Sequence, residues 1–347
     1  MPDLKNVRQG SPSKYPELDW LRGVAAIFIV LYHYTTRYQE MFGIKDGWIF
    51  NVPWGCGAVN AFFLLSGFLT ALTLRDDTKF TDYVKKRAVR LYPGYWTCLI
   101  LTTVVVLLLW RERFVGIGGL VINLTMFQSF FGIAAVDGAY WTLMYELQFY
   151  IYVAALLLMK KAKWLKPLAF IGIIASAVVC VLSMPLGDNI VFKLAKFALL
   201  GDYGIAFFGG IMLCGLKKNI KDPISWVGAA GGLVLSFFMH TLAYFVFYAV
   251  AASIIVAVIV FHNESHEKYA KAVARLAKGG LRPLEFIASI SFPLYLLHQY
   301  IGMAIMNSLG GLGLVSEWII VIPILISICL AYIVHRFVEL PILKLAK

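Results

Sequence analysis

Arg22 and His33 stand eleven residues apart in one apolar stretch, DWLRGVAAIFIVLYHYTTRY. Ionisable side chains inside a membrane span are costly, and they are rare except where they function. At 1.5 Å per residue the two lie about 16 Å apart along a helix, and eleven residues are close to three turns, so they face the same way. A cation at the mouth and a titratable base deeper in describe a polar pocket entering a membrane.

Three more constellations carry chemistry. In WGCGAVNAFFLLSGF (54–68), Asn60, Ser66 and Gly67 interrupt an apolar run. Ser66-Gly67 reads either as a packing point for a neighbouring helix or as a hydrogen-bond donor in a site. In KKRAVRLYPGYW (85–96), Lys85, Lys86, Arg87 and Arg90 precede Tyr92, Pro93 and Trp96. Basic residues at a helix start are not favoured by the macrodipole. They fit either a cytosolic loop or a phosphate-bearing, nucleotide-like ligand. In GAYWTLMYELQFY (138–150), Glu146 is a carboxylate within an apolar segment. SISFPLYLLHQY (289–300) adds His298, which reads as a partner for Glu146, a pocket wall or a structural histidine.

The elements that position these groups are membrane helices. The chain has 347 residues, 61% apolar and 14% charged, with a mean hydropathy of +0.78. Stretches long enough to cross a bilayer recur throughout. Ten spans are expected: 19–38, 55–74, 91–110, 140–159, 167–184, 198–216, 224–240, 243–261, 286–307 and 314–335. The fold class is therefore an all-α, polytopic helical bundle. It forms a single membrane domain, 1–347, with 1–18 as a cytosolic tail that lacks a signal-peptide cleavage site.

A net charge of +12 invites a nucleic-acid reading, but its distribution argues against one. With the N-terminus inside, 24 Lys and Arg fall on cytosolic segments and six outside: Arg37, Lys45, Arg111, Arg113, Lys193 and Lys196. That bias is the positive-inside rule. It predicts cytosolic termini, and a bilayer rather than nucleic acid as partner. Segment 115–131 is long enough for a further span. Crossing there would export the later basic loops, so it is read as interfacial or re-entrant.

On this topology His33, Asn60 and Glu146 each lie about 8–9 Å below the outer ends of their spans, and His298 about 13 Å below. Three polar groups on three helices are thus expected at one depth. Cysteines 56, 98, 180, 214 and 329 are scattered and read as packing residues. HNESH (His262, Glu264, His266) has metal-like spacing but no third ligand, so no metal is expected.

In this order the motifs resemble the membrane-bound acyltransferase-3 family. The resemblance rests on R-x10-H (Arg22, His33), FFLLSGF (62–68), R-x-Y-P-x-Y-W (Arg90 to Trp96), W-T-L-x-x-E-x-x-F-Y (Trp141 to Tyr150) and the late S-F-P-L-Y-L-L-H. It implies a similar span count and transfer of acyl groups, usually acetyl from acetyl-CoA, to hydroxyls of extracytoplasmic or lipid-linked glycans, lipids or small molecules. It implies that His33 is the essential catalytic residue and that Arg22 helps bind the donor. Many members have Asp where this chain has Asn60. Some carry an appended esterase-like domain; here transfer is expected to be completed by the membrane part or by a partner.

Together with what the resemblance implies, these readings lead one to expect an O-acyltransferase of the bacterial cytoplasmic membrane. His33 is expected as general base or transient acyl carrier, Glu146 as its orienting acid, and Asn60 or Ser66 as oxyanion donor. Arg22, Arg87, Arg90, Tyr92, Trp141 and His298 are expected to bind acetyl-CoA or another acyl-CoA. The alternative is a proton-coupled transporter or flippase using the same His, Glu and Arg. Such carriers commonly show two-fold hydropathy symmetry, which this sequence lacks.

Overall fold

The computed structural model describes residues 15–43, 50–186, 189–263, 267–312 and 317–345. Among them every regular element is helical, as the sequence predicts. The physical reason is that a backbone in hydrocarbon must satisfy its own N–H and C=O groups, and a helix does so within one segment.

Ten principal helices occupy the ten apolar stretches. They are α1 (Pro16–Tyr32), α2 (Ala58–Thr73), α3 (Phe80–Leu109), α4 (Trp141–Leu158), α5 (Leu165–Leu186), α6 (Gly204–Lys218), α7 (Pro223–Met239), α8 (Leu242–Asn263), α9 (Ser291–Gly311) and α10 (Val321–Val334). Not all have the length and apolarity of an independent span. Among the described residues six segments do: Pro53–Thr73, Phe80–Leu109, Gly138–Leu158, Ala162–Pro185, Leu242–Phe261 and Trp318–Leu345. A seventh exists if Ile190–Ala198 and Gly201–Lys218, bent by 45°, form one span.

The shortfall has physical causes. α1 and α7 have 17 residues each. α9 carries His298 and Gln299, both buried. Polar side chains turned toward other helices lower a helix's hydropathy without meeting lipid. The helices that do pass show the opposite pattern. Val181 on α5 and Leu325 on α10 are 63% and 62% exposed, as apolar side chains facing a membrane would be.

Residues 115–131 form a short helix, Gly116–Asn123, and a 3₁₀ turn, Gln128–Phe131. Eight residues span about 12 Å, far short of a ~30 Å hydrocarbon core. The segment is pinned against α3, because Tyr95 and Trp96 donate to the Asn123 and Leu124 carbonyls at 2.7 and 2.8 Å.

The tightest helix crossing is α2 on α6. A Cβ on Gly67 would strike the Phe207 carbonyl, and one on Gly210 the Leu64 carbonyl. Small residues let the two backbones approach, the usual device where lipid supplies no hydrophobic drive. Gly67 is thus the packing residue of the Ser66-Gly67 pair, and Ser66 faces elsewhere.

Candidate active site

α1 delivers both residues that open the sequence reading. Beyond Tyr32 the helix widens into a π turn, His33–Arg37, a distortion frequent at functional positions. His33 Nδ1 lies 2.9 Å from the Ile29 carbonyl oxygen and 3.0 Å from Nε2 of His298. The two imidazoles meet edge to face, with centroids 4.8 Å apart. His298 is fully buried.

Three turns earlier on α1, Arg22 faces an open cavity of about 820 Å³, the space at its solvent mouth included. One end is polar and cationic: Arg22, Arg87 and Arg90 line it with Glu146, Ser66 and Thr70. The other end is walled by Val59, Phe62, Leu143 and Tyr295, with the Thr142 hydroxyl beside that of Tyr295. α1 and α3 both begin at the cationic end, and α2 runs the opposite way, so its Ser66 and Thr70 join the same end.

The cations are held differently. Arg22 is bonded to Asp19 at 3.2 Å. Arg87 donates to Thr70 Oγ1 at 3.1 Å and lies over the rings of Tyr150 and Tyr83, at 4.5 and 5.1 Å. Arg90 is exposed and makes no hydrogen bond or ion pair among the described residues. Glu146 Oε1 accepts from the Tyr150 hydroxyl at 2.6 Å, and that hydroxyl is 3.4 Å from Ser66 Oγ.

The sequence reckoning by depth does not hold for all three polar groups. Glu146 is turned to the arginine end and makes no hydrogen bond to His33; His298 takes the place beside His33. Asn60 is buried, but its Nδ2 donates to the Tyr244 carbonyl of α8 at 3.3 Å, away from the cavity lining. Depth along a helix axis says nothing of the direction around it, and the three side chains point to different neighbours. Tyr92 bonds the Thr125 carbonyl at 3.0 Å, and Trp141 packs on Tyr145 and Tyr203. Neither lines the cavity.

His33 does not line the cavity either. Phe62 and Tyr295, with ring centroids 6.4 Å apart, stand at its apolar end, and the Tyr295 ring is 5.7 Å from that of His298. The arrangement is a cavity with three arginines at one end and, beyond Phe62 and Tyr295 at the other, a histidine pair.

The sequence reading missed four contributors: Tyr150, Thr70, Tyr295 and Asp137. Asp137 is fully buried and accepts from the backbone N–H groups of Ala139 and Tyr300, both at 2.8 Å. It could have been flagged as a capping carboxylate just ahead of an apolar helical run. Among the described residues no three His, Cys, Asp or Glu side chains gather as metal ligands. Glu264 and His266 lie outside the described residues.

Comparison with known proteins now decides the family. Residues 15–336 match the family model of the acyltransferase-3 group, described as an acyltransferase domain. The chain belongs to the acyltransferase-3 family. It is 24% identical to the O-acetyltransferase OatA of Staphylococcus aureus (strain NCTC 8325 / PS 47) over a 385-residue alignment, covering 96% of this chain and 58% of that protein. OatA of Staphylococcus aureus (strain MRSA252) shows the same identity and coverage. This acyltransferase-3 chain thus spans about three-fifths of the length of those relatives. No solved structure matches it.

Proposed function

We propose that this acyltransferase-3 chain is a membrane O-acyltransferase that takes an acyl group, acetyl in the simplest case, from cytosolic acyl-CoA. It passes the group to a hydroxyl of an extracytoplasmic or lipid-linked glycan. The ten principal helices all cross the membrane, with both termini in the cytosol, as the 24-to-6 distribution of basic residues favours. The names of the related O-acetyltransferases support the O-acetyl reading.

The observation that carries the proposal is the cavity, with three arginines at one end and a histidine pair beyond the other. Arg22, Arg87 and Arg90 sit on the cytosolic side of this topology and bind the phosphates of the donor, since guanidinium forks match phosphate oxygens. The pantetheine arm follows the apolar wall at Val59, Phe62 and Leu143. The thioester then reaches the Phe62–Tyr295 boundary, next to His33.

His33 acts there as general base, or attacks first and carries the acyl group briefly. In the base route the acceptor oxygen bonds to the thioester carbon as His33 takes the hydroxyl proton. The C–S bond breaks, and the proton returns to the CoA thiolate. Ser66 and Asn60 do not border the histidine pair, so neither serves as the oxyanion donor. The Thr142 and Tyr295 hydroxyls, 2.8 Å apart, are polar groups of the cavity lining on the histidine side.

The test is thiol release from acetyl-CoA by the purified protein in nanodiscs, with and without a hydroxyl acceptor. Acceptor-dependent release that His33→Ala abolishes supports the proposal. Acceptor-independent proton or solute flux with no thioester cleavage favours a carrier instead.

A further inference from the structure

We propose that His298 is a positioning residue for His33: it accepts the Nδ1 hydrogen of His33 and so makes Nε2 the reacting nitrogen. The proposal rests on the acyl-transfer reading above for its kinetic consequences, and on geometry alone for the tautomer.

The geometry fixes the hydrogens by elimination. His298 Nδ1 lies 2.8 Å from the Tyr295 carbonyl oxygen and 3.1 Å from that of Leu294. Carbonyl oxygens only accept, so this nitrogen carries a hydrogen. A neutral imidazole has one, which leaves Nε2 of His298 a bare acceptor. Its neighbour at 3.0 Å is His33 Nδ1, which must therefore donate. The Ile29 carbonyl, 2.9 Å from the same nitrogen, shares that hydrogen. Neutral His33 is left with its lone pair on Nε2. No carboxylate is hydrogen-bonded to either ring among the described residues.

The surroundings hold His298 in this pose. The Tyr34 hydroxyl donates to the His298 carbonyl at 2.6 Å. The Tyr295 hydroxyl is 3.0 Å from the Ala139 carbonyl and 2.8 Å from Thr142 Oγ1. Asp137 accepts from the Tyr300 N–H. The turn before α4 thus grips α9 on both sides of His298, three residues before it and two after. A ring fixed in this way loses little freedom when the reaction begins, which is what preorganisation requires.

The chemistry follows. When His33 Nε2 takes the acceptor's proton, or bonds the acyl carbon, the ring becomes cationic. Its Nδ1–H then donates to His298 as a charged group, and charge-assisted bonds are about twice as strong as neutral ones. The gain arises in the transition state and not in the ground state, so it acts on kcat and leaves donor KM alone.

Two variants separate this role from mere packing. His298→Leu removes the imidazole acceptor and leaves His33 Nδ1–H only the Ile29 carbonyl. His298→Gln can place its amide oxygen where Nε2 stood. In nanodiscs, His298→Leu is expected to lower kcat roughly 10- to 100-fold, the worth of a hydrogen bond to a charged group, with donor KM within about twofold. His298→Gln is expected to recover most of that loss. Wild-type turnover in His298→Leu, or equal losses in two variants that melt like wild type, would overturn the proposal.

Nitrogen-15 NMR of histidine-labelled wild type, with His33→Ala used for assignment, reads the tautomer even where a variant fails to fold. A neutral His33 with its hydrogen on Nδ1 supports the inference, and a hydrogen on Nε2 defeats it. That readout needs no turnover. If no thioester is ever cleaved, the acyl-transfer reading fails while the tautomer assignment still stands or falls by itself.

Discussion

Arg90→Ala isolates the donor-binding claim most cleanly, because Arg90 lines the cavity and makes no hydrogen bond or ion pair among the described residues. Its removal leaves no buried partner stranded. What it takes away is one charge-assisted hydrogen bond to phosphate, worth about 1.5–3 kcal/mol, which is roughly 10- to 150-fold in affinity. Arg87 is different. It is tied to Thr70 and covers the rings of Tyr150 and Tyr83, so Arg87→Ala also forfeits cation–π and packing contacts and should lower the melting temperature, whereas Arg90→Ala should not. Arg111 and Arg113 are the controls. They follow the far end of α3, so Arg111 is about 30 Å from Arg90 along the helix, several Debye lengths at physiological salt. Their alanine variants should shift CoA affinity less than twofold. Calorimetric titration of CoA into the four variants at low and high salt provides the comparison. Equal losses from both ends of α3 would refute a donor site at the Arg22–Arg87–Arg90 end.

Glu146→Gln should keep its contact with Tyr150 but remove the one carboxylate that lines the cavity with those arginines; CoA affinity is expected to rise several-fold with kcat little changed. A hundredfold fall in kcat at constant affinity would place Glu146 at the reacting atoms instead. Gly67→Ala should cost about 1–3 kcal/mol by forcing α2 from α6, seen as a lowered melting temperature that Ser66→Ala does not share. An unshifted melt for Gly67→Ala would contradict the close crossing. Outside the membrane, a hydrogen bond from Lys166, joined by one from Ser225, holds the Asp222 carboxyl below its ordinary range. A depressed native value stabilises the fold above the unfolded carboxylate pKa and is lost as pH falls through the native value, so Asp222→Asn should flatten that part of the acid-melting profile. The effect is small, about 1 kcal/mol or less for a partly exposed pair, and an unchanged acid profile would dismiss it.

Much of the layout is legible in the sequence because the bilayer leaves the chain few choices. Apolar stretches mark the helices, and an Arg or His within them draws attention to polar surroundings: Arg22 lines the cavity and His33 meets His298. The arginine end of the cavity was legible in part from a different signal, the basic cluster at a helix start that holds Arg87 and Arg90. The pairing of side chains was not. Counting 1.5 Å per residue gives depth, and depth put Glu146 and Asn60 level with His33. The azimuth comes from packing, and it turns Glu146 to Tyr150 and Asn60 to the Tyr244 carbonyl. His298 became the neighbour of His33 through contacts between helices 265 residues apart in the chain, a separation no local pattern encodes. Asp137 escaped notice because a loop carboxylate is ordinarily solvated, whereas here the turn folds inward onto α9.

The central claim is that His33 moves the acyl group of a CoA thioester. Its most direct measurement is acceptor-dependent CoA release by purified wild type and His33→Ala in nanodiscs, at saturating acetyl-CoA and with CoA binding measured on the same samples. Loss of general-base catalysis should lower turnover by ~10²–10⁴-fold, while CoA still binds to the arginine end with near wild-type affinity. A His33→Ala protein that binds CoA normally and keeps more than a tenth of wild-type turnover would contradict the assignment of His33 as the reacting group.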